Sequence, residues 1–230
     1  MVSAEDEEIL GIARGVIENE SESARNLLAN LGEDFVKAVR LISTIKGRVI
    51  LTGMGKSGYI AQKVASTLTS TGTLSAYLHP AEGFHGDLAI VSKDDVLIAI
   101  SNSGETAEII DLLPPLKKIG VPVIAITGNR NSTLARRADI HLWIGEVRES
   151  DPHELVPTAS SVAQLVLCDA MTVALMKLKR FKPEDYAFIH PRGMIGLRLT
   201  LKVSDLLRGD ETNPRVLVNS AFKEALTAIT

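Results

Sequence analysis

The sequence predicts an α/β fold, a three-layer α/β/α sandwich around a five-stranded parallel sheet. Three observations lead there. Five short runs are apolar at almost every position: RVILTG (48–53), LSAYLH (74–79), DVLIAIS (95–101), VPVIAIT (121–127) and DIHLWIG (139–145). Strands that are apolar on both faces belong in a sheet covered on both sides. Between the runs lie segments with helical spacing, the alternation of a parallel sheet with right-handed crossovers. Three of the runs end in clusters of Gly, Ser and Thr, where an open parallel sheet binds its ligands.

The elements follow in order. Ile9, Ile12, Val16 and Ile17 share one stripe and Leu27, Leu28 and Leu31 extend it, so a long amphipathic helix opens the chain. A second helix spans about Glu33–Ile45 and stops at Lys46-Gly47, since Gly adopts the left-handed conformation that ends helices. Further helices, about Ser57–Ser70, Thr106–Ile119 and Ser132–Ala138, follow the first, third and fourth strands. The segment from Thr158 to Leu178 is nearly all apolar or small, but Gln164 and Asp169 interrupt it. A charge near a bilayer centre costs about 3 kcal/mol, so this segment reads as a core or subunit-interface helix rather than a membrane span. From about Leu199 a polar, Pro-containing stretch leads into a new strand–helix pattern, too short to enclose a core of its own. The expected organisation is a domain over 1–198 and, over 199–230, a linker with the incomplete start of a second domain.

Composition excludes several function classes. The 230 residues carry 25 Lys+Arg against 28 Asp+Glu, a net charge of −3, with no strongly basic run to capture nucleic acid. Cys168 is the only cysteine, which excludes an intrachain disulfide and a cysteine-rich metal centre. The five histidines (79, 85, 141, 153 and 190) show neither H-x-x-x-H nor H-x-H spacing, so no metal is expected. The acidic start, MVSAEDEEIL, lacks the basic region of a secretory signal and points to the cytoplasm.

The chemistry gathers at strand ends. Gly53-Met54-Gly55-Lys56-Ser57-Gly58 matches G-x-G-x-x-G after a strand, so a nicotinamide dinucleotide fold is one reading. The acid expected at the end of the next strand is replaced by His79-Pro80. Ser101-Asn102-Ser103-Gly104-Glu105-Thr106 crowds hydroxyls into a turn that opens a helix, and free N–H groups there suit a monoester phosphate. Ser and Thr also occur in such turns for purely local capping reasons. Candidate acid–base groups are Glu105 in that turn, Glu149 in RESDPHE, His190 in AFIHPRGMIG and His85 in GFHGDL. Each has a plain structural alternative: helix-dipole complement, solvated loop acid, capping or core histidine, loop histidine.

The motifs GMGKSG, HPAEGFHGDL, AISNSGET, ITGNRNSTLARRAD, VPTASS and HPRGMIG occur in this order and at this spacing, over about residues 5–205. Together they resemble the sugar-isomerase (SIS) domain of bacterial arabinose-5-phosphate isomerases. The tail, with KVSDLL, looks like the linker and first elements of a CBS pair. The resemblance implies a SIS fold, a homotetramer, no cofactor and interconversion of D-arabinose 5-phosphate and D-ribulose 5-phosphate for the Kdo of lipopolysaccharide. The charge balance and the interrupted apolar segment predict no nucleic-acid or membrane partner. Carried over by position, Lys56, Glu105, Glu149 and His190 match the family's polar catalytic residues. Ser57, Ser101, Ser103 and Thr106 match its phosphate-binding hydroxyls, with Gly55, Asn102 and His85 beside them. Arg192 departs from the family's usual HPGG, and Asp151–Leu155 is more acidic than usual. A sugar-phosphate-sensing regulator without catalysis and an isomerase of another phosphosugar are the competing readings.

Overall fold

A computed structural model describes residues 3–190 and 214–229. The chain divides into two compact units, Met1–Phe181 and Lys182–Thr230. In the first, β1 (Val49–Gly53), β2 (Ser75–Tyr77), β3 (Val96–Ile100), β4 (Val123–Thr127) and β5 (Ile140–Trp143) form one parallel sheet in the order β2-β1-β3-β4-β5. Every residue of β1, β3 and β4 is buried, as their unbroken apolar runs require.

The side chains of each strand alternate between two cores. Val49 and Leu51 of β1 and Ile98 and Ile100 of β3 face α1 (Ala4–Asn30), α2 (Glu33–Thr44), α3 (Gly55–Thr69) and α7 (Ala159–Leu178). Ile50, Leu97, Ala99 and Ala125 face α5 (Ala107–Ile119) and α6 (Thr133–Arg137) through Leu112, Leu116 and Leu134. A short α4 (Pro80–Gly83) and a 3-10 turn (Asp87–Ile90) link β2 to β3. Pro114 and Pro115 lie inside α5, against their propensity. Burial of Ile109, Leu112, Leu113 and Leu116 along one face offsets the lost backbone bonds.

The topology has one switch point. From β1 the chain crosses to β2 on one side, and β3 returns to the other side of β1, with Gly53 paired to Ile100 at the carboxyl end. The loops after β1 and β3 therefore leave the sheet side by side, around the crevice where open α/β sheets bind ligands.

Helix α7 is long and apolar enough, by length and composition, to cross a membrane. In this fold it packs against α1, α2 and α3 and buries Ala163, Leu167, Met171 and Leu175. Cys168 lies in the same buried row, and burial pushes its thiol up to about 12. Its reaction with a thiol reagent near neutral pH should be slow in the native protein and fast after denaturation. Equal rates in the two states would contradict this placement.

The second unit holds α8 (Pro183–Ile189) and a helix over Phe222–Ile229. The strand expected before that last helix is absent from residues 214–221. Val216, Leu217 and Val218 are exposed there, and among the described residues no neighbouring strand pairs with them. A lone strand leaves its backbone groups to water and has nothing to bury against.

Candidate active site

The turn after β1 is held tightly. The Tyr77 hydroxyl donates to the Gly53 carbonyl (2.9 Å), and burial raises the Tyr77 pKa, so the phenol keeps that proton. A Cβ at Gly58 would lie 2.7 Å from the Gly53 carbonyl oxygen, so the third glycine of the motif lets α3 sit directly on β1. Lys56 is exposed, with its ammonium 5.9 Å from the centre of the Tyr59 ring. Ser57, in the first turn of α3, donates to Oε1 of Gln164 on α7 (3.1 Å).

The turn after β3 is a compact hydroxyl cluster. The Gly104 N–H donates to Ser101 Oγ (3.0 Å), Ser101 Oγ meets Thr106 Oγ1 (2.8 Å), and the Glu105 N–H donates to Ser103 Oγ (3.2 Å). Ser101 is buried and acts as the internal frame, whereas Ser103 is exposed. Thr106, the N-cap of α5, makes no side-chain capping bond, so the first N–H groups of α5 are left for a ligand. Gly104 has φ +67°, and a Cβ there would run into the Ser132 side chain. The Asn102 carbonyl accepts from the Gly128 N–H (2.9 Å), which ties this turn to the loop after β4.

The two carboxylates have different surroundings. Glu105 is exposed and accepts from the Thr133 N–H (2.6 Å) at the start of α6. That backbone bond holds its pKa below the usual carboxylate range, so it is ionised at neutral pH and is no proton donor there. Among the described residues no ion pair joins Glu105 to Lys56; the partner of Glu105 is the first turn of the next helix. Glu149 is half-buried. Its Oε2 accepts from the Thr158 N–H (2.8 Å), the Thr158 hydroxyl (3.1 Å) and the Ser160 N–H (3.3 Å). The reading of Glu149 as a solvated loop acid does not survive: it caps α7.

Helix α7 thus connects the site. Ser160 and Gln164, each only 1% exposed, lie one turn apart on the same face, about 6 Å along the axis. One end of that turn bonds Glu149 and the other bonds Ser57. Sequence reasoning missed Thr158, Ser160 and Gln164 as site components. The available signals were the motif VPTASS, which holds Thr158 and Ser160, and Gln164 interrupting an apolar helix.

The expected histidines are less constrained. His85 is exposed in the loop beyond α4, and its ring makes no hydrogen bond among the described residues. His190 belongs to the second unit, stacks on Tyr186 with ring centres 4.0 Å apart, and bonds the Tyr186 carbonyl through Nδ1 (2.9 Å). A carbonyl only accepts, so Nδ1 carries the proton and the neutral ring keeps Nε2 as its basic nitrogen. Arg192 lies outside the described residues. Among the described residues no group of three His, Cys, Asp or Glu side chains is placed to hold a metal ion.

Comparison with known proteins agrees with this architecture. The SIS domain family matches residues 41–174. An arabinose 5-phosphate isomerase KdsD of Pseudomonas aeruginosa is 46% identical over 218 residues, covering 95% of this chain and 67% of the relative. The KdsD of Escherichia coli K12 is 43% identical, covering 94% of this chain and 66% of the relative. The chain therefore spans about two thirds of the length of these curated relatives. An Escherichia coli CFT073 protein solved in complex with arabinose 5-phosphate superposes with a TM-score of 0.78 at 39% identity, over 81% of this chain and 99% of that one. With the switch-point turns, the parallel sheet and these relatives in agreement, the chain belongs to the SIS-domain family and, within it, to the arabinose 5-phosphate isomerases.

Proposed function

We propose that this chain interconverts D-arabinose 5-phosphate and D-ribulose 5-phosphate through a cis-enediol. The observation that carries the reading is the pairing of a hydroxyl-and-amide turn at the start of α5 with the Gly53–Ser57 turn at the same switch point. The phosphate sits against Ser103, Thr106 and the free N–H groups of α5, with Ser57 completing the grip and Ser101 and Gly104 shaping the turn. Binding energy from this remote group then positions the reacting carbons.

Ring opening needs a proton moved between the ring oxygen and the anomeric hydroxyl, and His190 Nε2 is the basic nitrogen for that step. Glu149 then takes the C2 proton of the open aldose and returns it to C1, while the O2 hydroxyl proton passes to O1, so one carboxylate serves both carbons of the enediol and the hydrogens balance. The Lys56 ammonium offsets negative charge on the enediolate oxygen. Glu105, ionised and tied to α6, holds a sugar hydroxyl as acceptor. Aldose and ketose are isomers and every proton taken is returned, so no redox cofactor is required.

The assay that tests this is ketose formation across a panel of aldose phosphates. Turnover is expected with arabinose 5-phosphate; its absence there, with turnover of a hexose phosphate, would reassign the substrate. Ser103→Ala should raise KM about fivefold with little change in kcat, as expected for losing one exposed hydrogen bond worth about 1 kcal/mol net; an unchanged KM would move the phosphate elsewhere.

The same reading includes assembly, location and domain organisation. Ile9, Ile12 and Ile17 of α1 and Val173 of α7 are exposed apolar side chains, which supports burial between subunits of a homotetramer. Sedimentation at micromolar concentration should give about four times the 24.8 kDa chain mass, and a monomer would contradict it. A charged phosphate ester does not cross a bilayer unaided, which suits a cytoplasmic enzyme. Residues 1–198 form the catalytic domain in this reading, and 199–230 a linker with the start of a CBS region.

A further inference from the structure

We infer that Gln164 is a positioning residue for phosphate recognition, acting through Ser57. The inference rests on the phosphate reading above. Gln164 is 1% exposed in the middle of α7, between Ala163 and Leu165, on a helix whose buried face is otherwise mostly apolar. A Leu or Met would fill that volume without an amide to satisfy. The amide instead spans to α3, 107 residues away in sequence, and holds the Ser57 hydroxyl in the first turn after β1.

The chemistry of the amide explains its place. Ser57 donates its one proton to Gln164 Oε1. When a phosphate oxygen arrives, Ser57 must turn that proton outward to donate to it. Its oxygen is then left as an acceptor, and a primary amide can meet that change by offering Nε2 in place of Oε1. A carboxylate could only accept, and an apolar residue could do neither. Gln164 therefore keeps Ser57 in one rotamer in both proton arrangements, so the hydroxyl is aimed before the ligand binds. Gln164 lies one turn beyond Ser160, whose backbone N–H bonds Glu149 at the start of the same helix, so phosphate grip and base share one rigid element.

The test is a phosphorus-31 NMR titration of inorganic phosphate into the full chain as wild type, Gln164→Leu, Ser57→Ala and the double variant. Gln164→Met is the second variant should the branched Leu fail to fold. Gln164→Leu and Ser57→Ala should each weaken phosphate about fivefold. The double variant should be no weaker than the weaker single variant, because both changes remove the same interaction. A merely structural role predicts otherwise: Gln164→Leu would lower thermal stability while leaving phosphate affinity within twofold, or would weaken it equally with and without Ser57. Either result overturns the inference, as does a wild type that does not bind phosphate. The probe is not turned over, so failure of the isomerase reading would show separately, as phosphate binding without ketose formation.

Discussion

Glu149→Gln should lower kcat for arabinose 5-phosphate by at least about a hundredfold, the low end for loss of a general base, with KM within about twofold. The substitution is well controlled by the local geometry. Glu149 accepts three bonds at the start of α7, all through Oε2. The carbonyl oxygen of a Gln can accept from the same N–H groups, so the cap is kept while the base is lost. Glu149→Ala removes both functions. It should add a loss of about 1 kcal/mol in stability, the usual size for deleting a helix cap, to the same loss of turnover. Steady-state kinetics beside thermal unfolding of the two variants separates the roles. Near wild-type turnover in Glu149→Gln would remove this carboxylate from the proton transfer and leave it as a cap only.

The second large effect is expected at Gly104. Gly104→Ala should reduce kcat/KM for arabinose 5-phosphate at least about tenfold, chiefly through KM. The backbone there has φ +67°, where an L side chain costs about 1–2 kcal/mol. The added methyl would also meet Ser132, which is buried and whose Oγ accepts from the Ala135 N–H to cap α6. Relief of that clash has to move the 101–106 turn, because Ser132 is fixed on its own helix. The Gly104 N–H would then leave Ser101 Oγ and the hydroxyls would lose their common orientation. A tenfold effect corresponds to about 1.4 kcal/mol, well within the combined strain and lost contacts. An unchanged KM in a folded variant would show that the phosphate does not depend on this turn.

The two predictions draw on different kinds of information. The 101–106 turn is legible in sequence because it is local. Six consecutive residues, a preceding apolar strand and a following helix are enough to place hydroxyls and free N–H groups together. The same holds for the five strands, whose apolar runs bury completely in β1, β3 and β4. Where the tail was expected to form a strand, local pattern failed. Val216, Leu217 and Val218 have strand-forming side chains but no partner strand among the described residues. Strand propensity is a preference for a half-buried pleated surface and counts for little where that surface is missing.

Glu105 and Glu149 show the limit more sharply. Read along the chain, one sits in a helix-opening turn and the other in a polar loop, and each could be solvated. Folding ties Glu105 to the Thr133 N–H and makes Glu149 the cap of α7. Helix α7, which composition marks only as apolar and buried, also gives its Ser160 N–H to Glu149 and its Gln164 amide to Ser57.

The sequence by itself determined the parallel α/β sheet, the hydroxyl-rich turn after β3 and the family, because periodicity, strand-end chemistry and ordered motifs are properties of contiguous residues. Only the tertiary structure decided how the carboxylates are held, which hydroxyl of the turn is exposed and which is buried, and that Gln164 bonds Ser57. Those outcomes depend on hydrogen bonds between segments far apart in the chain, and their partners are set by how the helices pack on the sheet.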